Sequence, residues 1–272
     1  MRAVTLLFHD VVPAGCWDSS GMRGADADVY KLDCSEFRQH LRAIAQRLLS
    51  RPVTAPALLD GSSAGIPILF TFDDGGVSAQ QYIADILDEF EWKAHFLITA
   101  GRIGTSGFLD RAQIRELHRR GHVIGSHSFS HPARMSHCTR EEIDEEWQRS
   151  VSTLAEITGE SIQVASVPCG YYSRRLAYSA AKHGIRLLFN SEPVTHARSV
   201  GGCLVMGRFT VQRGYSPKKS AAISSNARLP QFQQYLVWNC KKVAKVLGGR
   251  FWLRARIFAL ALRAQISSKL EP

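Results

Sequence analysis

The sequence predicts an α/β domain that forms a closed or nearly closed barrel, followed by a basic helical extension. Short apolar runs alternate with amphipathic helical patterns from residue 3 to residue 211, which is typical of parallel strands joined by crossover helices. About seven such units favour a barrel over an open doubly wound sheet. No G-x-G-x-x-G follows the first strand, as it would in a dinucleotide-binding fold. The 272 residues, 45% of them hydrophobic, can bury one large core or two small ones.

Each element follows from a local pattern. Continuous apolar runs, typical of strands buried on both faces, predict strands at residues 3–8, 67–72, 94–98, 123–125, 163–167, 186–190 and 204–211. Apolar residues at helical spacing predict helices over residues 34–49, 79–90, 111–120, 140–158 and 174–183. Asp33, Asp110 and Thr139 are the predicted N-caps, and Thr139 is paired with Glu142 in a capping box.

The alternation of strands and helices ends near residue 215, so we expect a barrel domain over residues 1–215 and a basic helical extension over residues 216–272. Residues 201–272 contain 13 Lys and Arg and one acidic residue, against 21 basic and 23 acidic residues before them. Two helices are predicted in the extension, over residues 229–247 and 250–268. The second carries an apolar stripe among basic residues, which favours either contact with an anionic membrane surface or packing on the barrel.

Several classes of protein are excluded by composition. No apolar run approaches the roughly 20 residues of a transmembrane helix, and the first apolar run is too short for a secretory signal. The six cysteines form no C-x-x-C pair and are expected to be free thiols. We therefore expect a cytoplasmic protein, peripheral at the inner membrane face if the extension binds lipid. No nucleic acid partner is expected, because only the tail is basic and no recognised motif accompanies it.

Polar clusters directly follow four of the predicted strands. The carboxyl ends of parallel barrel strands form one face, where active sites are built. The four clusters are His9-Asp10, Asp73-Asp74, His127 with His131, and 168–171. Four clusters from four strands indicate one site.

Three of these side chains form a set suited to a divalent metal ion. His127 and His131 are four residues apart, a spacing that suits one ion, and Asp74 adds a carboxylate. Two histidines and one carboxylate favour Zn²⁺, with Co²⁺ or Ni²⁺ as alternatives. The alternative without a metal is that one carboxylate of the pair Asp73-Asp74 caps a helix and the other is solvated. His122 is a candidate to support the ligands, and the remaining histidines are expected to be structural.

Two segments resemble the first two motifs of the polysaccharide deacetylases (carbohydrate esterase family four, the NodB-homology domain). They are residues 71–75, TFDDG, and residues 121–131, GHVIGSHSFSH. The resemblance covers residues 1–215 and implies a distorted (β/α)7-type barrel that hydrolyses N-acetyl, less often O-acetyl, groups on sugars. It also implies that Asp73 is the catalytic base and that Asp74, His127 and His131 bind the metal.

The third motif departs from the family pattern of Arg-x-Pro-Tyr followed by Gly. Here it is residues 166–170, SVPCG, so Ser166 stands where the arginine that holds the base is found. Cys169 can still donate its backbone N–H to an oxyanion. The predicted substrate-binding residues are Pro168, Gly170, Tyr171 and, at the end of a later strand, Asn190.

The family's general-acid histidine, in a C-terminal Leu-x-x-His, has no counterpart, because no histidine follows His196. The pattern stands instead at residues 6–9, LLFH. The first and last strands of a barrel are neighbours, so His9 can replace it, as in the permuted exopolysaccharide N-deacetylases that this chain resembles. The alternative is that His9 has a structural role, as a histidine held by hydrogen bonds at the end of a strand. Asp10 is a possible orienting partner, and His196 is the fallback acid.

These observations lead to two functional hypotheses. The first is a metal-dependent deacetylase acting on an acetylated polysaccharide, oligosaccharide or glycolipid. The second is a non-catalytic glycan-binding or scaffold pseudoenzyme of a polysaccharide-synthesis system, suggested by the departures at Ser166 and Cys169. The complete set of metal and base residues favours the first.

Overall fold

A computed structural model describes residues 1–62, 65–240 and 242. Its strands, in chain order, are β1 Val4–Phe8, β2 Val11–Val12, β3 Leu32–Asp33, β4 Ile68–Phe72, β5 His95–Ile98, β6 Val123–Ser126, β7 Val164–Ser166, β8 Leu187–Phe189, β9 Arg198–Val200, β10 Cys203–Met206 and β11 Phe209–Thr210. Nine of them form one sheet in the order β11-β1-β4-β5-β6-β7-β8-β10-β9. All neighbouring strands in it are parallel except β9 and β10. The predicted α/β barrel is confirmed as a curled half-barrel with a mixed sheet.

The helices surround this sheet and begin where capping residues predict. They are α1 Ala25–Asp28, α2 Cys34–Ala45, α3 Ala55–Leu59, α4 Ala84–Asp88, α5 Arg111–Arg119, α6 Arg140–Thr158, α7 Arg174–Lys182 and α8 Pro217–Ser224. Asp33 accepts from the backbone N–H of Glu36, and capping boxes at Asp110 and Thr139 are both complete. The predicted helix 79–90 is wrong in its first half, because residues 79–83 form a π-helical turn ahead of α4.

The predicted strand 204–211 is also wrong, because it is two strands separated by Gly207 and Arg208. β10 pairs with β8, whereas β11 pairs with β1 at the other end of the sheet. The break is the point at which the chain crosses between the two ends of the sheet. A Cβ atom on Gly207 would lie 2.1 Å from the carbonyl oxygen of Glu192, so only glycine fits at this crossing.

The two faces of the strands pack into different clusters. Phe70, Phe72 and Phe96 belong to the larger cluster, under the helices, whereas Leu69 and Leu97 belong to a smaller cluster on the opposite face of the sheet. Because strand side chains alternate, residues 71 and 73 follow Leu69 toward that inner face. The fold therefore directs Asp73 into the barrel. The register places Phe8 opposite Phe72, so His9 and Asp73 leave neighbouring strands at the same level.

The start of the C-terminal extension packs against the barrel. Ser220 on α8 lies 2.9 Å from the imidazole of His40 on α2 (Oγ to Nδ1). Residues 228–240 are helical; the rest of the predicted helix 229–247 apart from Lys242, and all of 250–268, lie outside the described residues. The domain boundary at residue 215 stays a prediction. Within the described part, no helix combines the length and the apolar character that crossing a bilayer requires. All six cysteines are free thiols, as predicted.

Candidate active site

Three side chains predicted to bind metal meet at the carboxyl ends of β4 and β6. His127 Nε2 lies 3.5 Å from Asp74 Oδ1, and His131 Nε2 lies 3.4 Å from the same oxygen. Tetrahedral Zn²⁺ with bonds of about 2.0–2.1 Å needs ligand atoms about 3.3 Å apart. The three side chains therefore fit a small divalent cation, and one ligand atom from each lies within 4.8 Å of the others.

Hydrogen bonds fix which nitrogen of His127 faces this point. His127 Nδ1 lies 2.6 Å from Ser166 Oγ, and Ser166 Oγ donates to Asp73 Oδ1 at 3.0 Å. Because the carboxylate can only accept, the serine proton points to Asp73 and its oxygen accepts from His127. Nε2 is then the unprotonated nitrogen, as a metal ligand requires.

Backbone strain is concentrated in the loops of the site. Among the described residues, six other than glycine have positive φ, and four of them are Asp74, Ser128, His131 and Cys169, with φ between 54° and 75°. Such conformations cost free energy and persist at functional sites where surrounding contacts enforce them.

Helix α6 supplies contacts that hold the loop between the two histidines. The carboxylate of Glu146 accepts the backbone N–H groups of Phe129 and Ser130, at 2.9 and 2.8 Å. The guanidinium of Arg149 lies 3.8 Å from the centre of the Phe129 ring. Ser128 Oγ accepts from the backbone N–H of His131 at 3.1 Å. The second histidine is therefore positioned by the fold without a metal.

The carboxylate of Asp73 is held by a residue that could not be identified from the sequence. Arg208, fully buried between β10 and β11, donates from Nη1 to Asp73 Oδ1 at 2.7 Å and from Nη2 to Asp73 Oδ2 at 2.8 Å. This bidentate pair is the strongest geometry for an arginine and a carboxylate. The one signal in the sequence is a charged residue inside the apolar run 204–211.

The two adjacent carboxylates have opposite protonation behaviour. Burial opposes ionisation of Asp73, but the charges of Arg208 and His127 hold its pKa well below the usual range. Burial raises the pKa of Asp74 to about 6, and the neighbouring carboxylate of Asp73 adds to this effect. Burial lowers the pKa of His127 to about 3 and also lowers that of His131. At neutral pH, Asp73 is ionised and both imidazoles are neutral.

His9 faces the centre from β1, where its charge acts on both Asp73 and Asp74. Its Nδ1 is buried and forms no hydrogen bond with any described residue. The suggestion that Asp10 orients His9 is wrong, because Asp10 Oδ1 accepts from the hydroxyls of Ser20 and Ser78, at 2.6 and 2.7 Å.

The fallback acid lies elsewhere. His196 forms an antiparallel bridge with Arg2, near the amino end of β1 and on the order of 20 Å of strand from His9. Two buried histidines have structural roles. His95 Nδ1 lies 2.8 Å from the carbonyl oxygen of Phe70. His122, the candidate to support the ligands, accepts the N–H of Ala94 and forms no hydrogen bond or ion pair with Asp74, His127 or His131.

The third motif forms a tight turn, Pro168–Gly170. Pro168 is buried and Cys169 is exposed. A Cβ on Gly170 would lie 2.8 Å from that of Ser191, and the Arg134 guanidinium lies 5.7 Å from the centre of the Tyr171 ring.

Asn190, predicted to touch substrate, is engaged in its own loop. Its side-chain oxygen accepts from the N–H of Glu192 at 2.9 Å, and its carbonyl oxygen accepts from Arg208 Nε at 3.0 Å. Asn190 thus orients the arginine that holds Asp73.

Proton competition at Asp74 predicts how metal binding depends on pH. Its pKa of about 6 means that a cation must displace a proton below that pH. We expect the affinity for Zn²⁺ to be nearly constant above pH 7 and to fall by about tenfold for each pH unit below 6. Competition titrations with a chelator at pH 5, 6 and 7 measure this. An affinity that is unchanged between pH 5 and 7 would contradict the assignment of Asp74 as a ligand.

Comparison with known proteins gives a match over the part of the chain that contains the candidate metal ligands. A family model described as polysaccharide deacetylase matches residues 60–188, which include Asp73, Asp74, His127 and His131 but neither His9 nor Arg208. YxkH of Bacillus subtilis, named for the same family, is 24% identical over 170 residues, 61% of each chain. The chain spans 45%, 61% and 35% of the lengths of the three curated relatives it matches.

Solved structures share the fold at low sequence identity. The deacetylase PplD of Streptococcus pyogenes, in complex with acetate, superposes with a TM-score of 0.67 at 18% identity, over 80% of this chain and 96% of that one. IcaB of Ammonifex degensii gives a TM-score of 0.67 at 22% identity, over 82% and 97% of the two chains. Together with the matched motifs, this fold confirms the resemblance stated from the sequence. The chain therefore carries a polysaccharide deacetylase domain, matched over residues 60–188.

Proposed function

We propose that this protein is a metal-dependent hydrolase that removes N-acetyl groups from a carbohydrate. One observation carries the proposal: two adjacent carboxylates are held for different tasks. Asp74 lies with His127 and His131 at ligand spacing, whereas Asp73 is fixed by Arg208 only 3.8 Å from His127 Nε2. A structural ion pair would not need the second carboxylate or the two neutral imidazoles.

The roles follow from the positions of the groups. Asp74, His127 and His131 would hold the cation, with Zn²⁺ as the first expectation and Co²⁺ or Ni²⁺ as alternatives. When bound, the cation supplies a Lewis acid beside the acetyl carbonyl and the attacking water. Asp73 accepts the proton of that water, while Arg208 keeps both carboxylate oxygens in place.

The remaining steps use other residues of the same face. The backbone N–H of Cys169 donates to the oxyanion that develops on the acetyl group. His9 donates a proton to the departing amine, so that the products are acetate and a free amino sugar. Pro168, Gly170 and Tyr171 are proposed to contact the sugar chain, with Asn190 acting mainly through Arg208.

Acetate release tests this proposal. Protein loaded with Zn²⁺, Co²⁺ or Ni²⁺ is incubated with N-acetylglucosamine oligomers and with N-acetylated glycolipids, and acetate is measured against metal content. We expect release that requires bound metal. Stoichiometric metal without release from any substrate would favour the pseudoenzyme, and failure to bind metal would reject the site. The departure at Ser166 gives the pseudoenzyme less support than the motif alone suggests, because Arg208 supplies beside Asp73 the positive charge that Ser166 lacks.

We also propose that the extension contacts an anionic membrane surface, which would place the enzyme at the inner face of the cytoplasmic membrane. Four large apolar side chains are exposed on helical residues 228–240: Leu229, Phe232, Leu236 and Val237. The basic residues that outnumber acidic ones in this chain lie after residue 200, where 13 Lys and Arg stand against one acidic residue. Basic residues beside an apolar face bind anionic lipid. We expect the protein to float with vesicles containing phosphatidylglycerol and to be released by salt. Equal partitioning to neutral vesicles would contradict this.

A further inference from the structure

A cavity of about 220 Å³ lies between the start of α7, the loop after β8 and strand β9. Its polar lining includes Tyr172, Arg174, Asn190, Glu192, His196 and Arg198. Its volume is below the roughly 300–1,000 Å³ typical of pockets for drug-sized ligands, so it suits one small group or one sugar unit.

One wall of the cavity is formed by residues that contact or adjoin Arg208, the residue that holds Asp73. Asn190 and Gly207 both line it. Asn190 accepts from Arg208 Nε at 3.0 Å, and Gly207 immediately precedes Arg208. Tyr172, on another wall, follows the turn that contains Cys169 and Gly170. The cavity is thus linked to the candidate site through Arg208 and through the segment 169–172.

The charges that line the cavity are not balanced. Arg174 is the first residue of α7 and Arg198 the first of β9. Neither side chain forms an ion pair or a hydrogen bond with any described residue. Glu192 is the one carboxylate that lines the cavity. The charges of Arg174, Arg198 and Glu192 all act on the hydroxyl of Tyr172, whose pKa is raised by burial. Two exposed guanidinium groups therefore line the same cavity as the phenol of Tyr172.

We propose that this cavity binds an anionic group of the glycan, a carboxylate or a phosphate, next to the sugar that is deacetylated. The proposal rests on the function proposed above and deepens it by naming the substrate class. Guanidinium groups bind both anions by paired N–H donors, and the Tyr172 hydroxyl adds a further donor. Glu192 and Asn190 offer acceptors for sugar hydroxyls. The carboxylate would come from a uronic acid, and the phosphate from a phosphorylated sugar or a lipid-linked glycan.

Binding to the full-length protein tests the proposal without turnover. The probes are glucuronate, glucose 1-phosphate and, as a neutral control, glucose, each titrated by ligand-observed NMR at 50 and 300 mM salt. We expect both anions to bind more tightly than glucose, with an advantage that falls with salt. The anion that binds more tightly identifies the source. Equal binding of all three would overturn the proposal.

Variants locate the site. Arg174→Gln with Arg198→Gln should weaken binding of the preferred anion about tenfold or more, and Glu192→Gln should strengthen it. The matched control is Arg140→Gln with Arg186→Gln, which removes the same charge from exposed arginines outside the cavity and should leave binding unchanged. If both double variants weaken binding equally, general attraction explains it and the proposal fails. Anion binding to wild-type protein that carries metal but releases no acetate from any substrate would reject the deacetylase and keep the anion site.

Discussion

Replacing Arg208 with methionine is expected to lower the free energy of unfolding by about 3–5 kcal/mol, because the change leaves the buried Asp73 carboxylate without its partner. Acetate release should fall at least 100-fold, since Asp73 is no longer held and its pKa rises toward the value that burial favours. Urea unfolding monitored by circular dichroism and initial rates at saturating metal measure the two effects.

The pH dependence of the same variant follows from the sign of the shift. The folded-state pKa of Asp73 lies below its unfolded value, so the ion pair contributes stability above about pH 4, and this contribution is lost as pH falls through the folded pKa. Between pH 7 and 4 the wild-type contribution is therefore constant. The stability difference from Arg208→Met should still be largest near pH 7 and shrink toward pH 4, because burial raises the pKa of the unpaired Asp73 in the variant and protonation removes its buried charge. An equal difference at all pH values would indicate lost packing instead.

Two further variants make the test specific. Arg208→Met combined with Asp73→Asn should be more stable than Arg208→Met alone, because it removes the unpaired charge, yet remain inactive. Arg186→Met, a change at an exposed arginine, should alter neither stability nor activity by a measurable amount. If Arg208→Met unfolds at the wild-type urea concentration and releases acetate normally, Arg208 does not hold the base.

The parts of the structure that depend on neighbouring residues could be predicted from the sequence. The caps at Asp33, Asp110 and Thr139 are local, since a side chain bonds an N–H three residues away. The strands could be predicted because buried parallel strands are continuous apolar runs. The gathering of polar residues at one face follows from parallel pairing alone, since the clusters all follow the carboxyl ends of strands.

Contacts made across the barrel could not be predicted in the same way. Arg208 and Asp73 are 135 residues apart in the sequence. They meet because Arg208 lies between β10, which pairs with β8, and β11, which pairs with β1 at the other end of the sheet. Asp10 shows the converse error. It adjoins His9 in the sequence, but adjacent side chains of an extended chain point to opposite sides, and Asp10 binds Ser20 and Ser78 instead.

Ser166 illustrates how a departure from a motif can mislead. Considered alone, serine at the arginine position suggests a weakened base. In the structure its hydroxyl joins His127 to Asp73, and Arg208 supplies the charge from another strand. In the family motif one arginine both orients the carboxylate and supplies a positive charge beside it. Here Ser166 contributes a hydrogen bond to Asp73 and Arg208 contributes the charge. We therefore expect a competent base in spite of the altered motif.

Asp73→Asn and Asp74→Asn are expected to separate catalysis from metal binding. The two substitutions remove the same charge from neighbouring positions, so each is the matched control of the other. Asp73→Asn should reduce acetate release by about 10²–10⁴-fold, the usual contribution of a general base, and change the affinity for Zn²⁺ by about tenfold or less. Asp74→Asn should weaken Zn²⁺ binding by more than about 100-fold, because loss of a ligand exceeds the 10–100-fold effect of losing a supporting contact.

Zn²⁺ titration and acetate release are measured on the same preparations, with circular dichroism to confirm folding, because Asp73→Asn leaves the charge of Arg208 buried. Excess metal provides the decisive comparison. It should restore part of the activity of Asp74→Asn, whose defect is occupancy, and none of the activity of Asp73→Asn, whose defect is the missing base. If saturating metal rescues Asp73→Asn, or if both variants bind Zn²⁺ as wild type does, the two carboxylates do not have the separate roles that their contacts indicate.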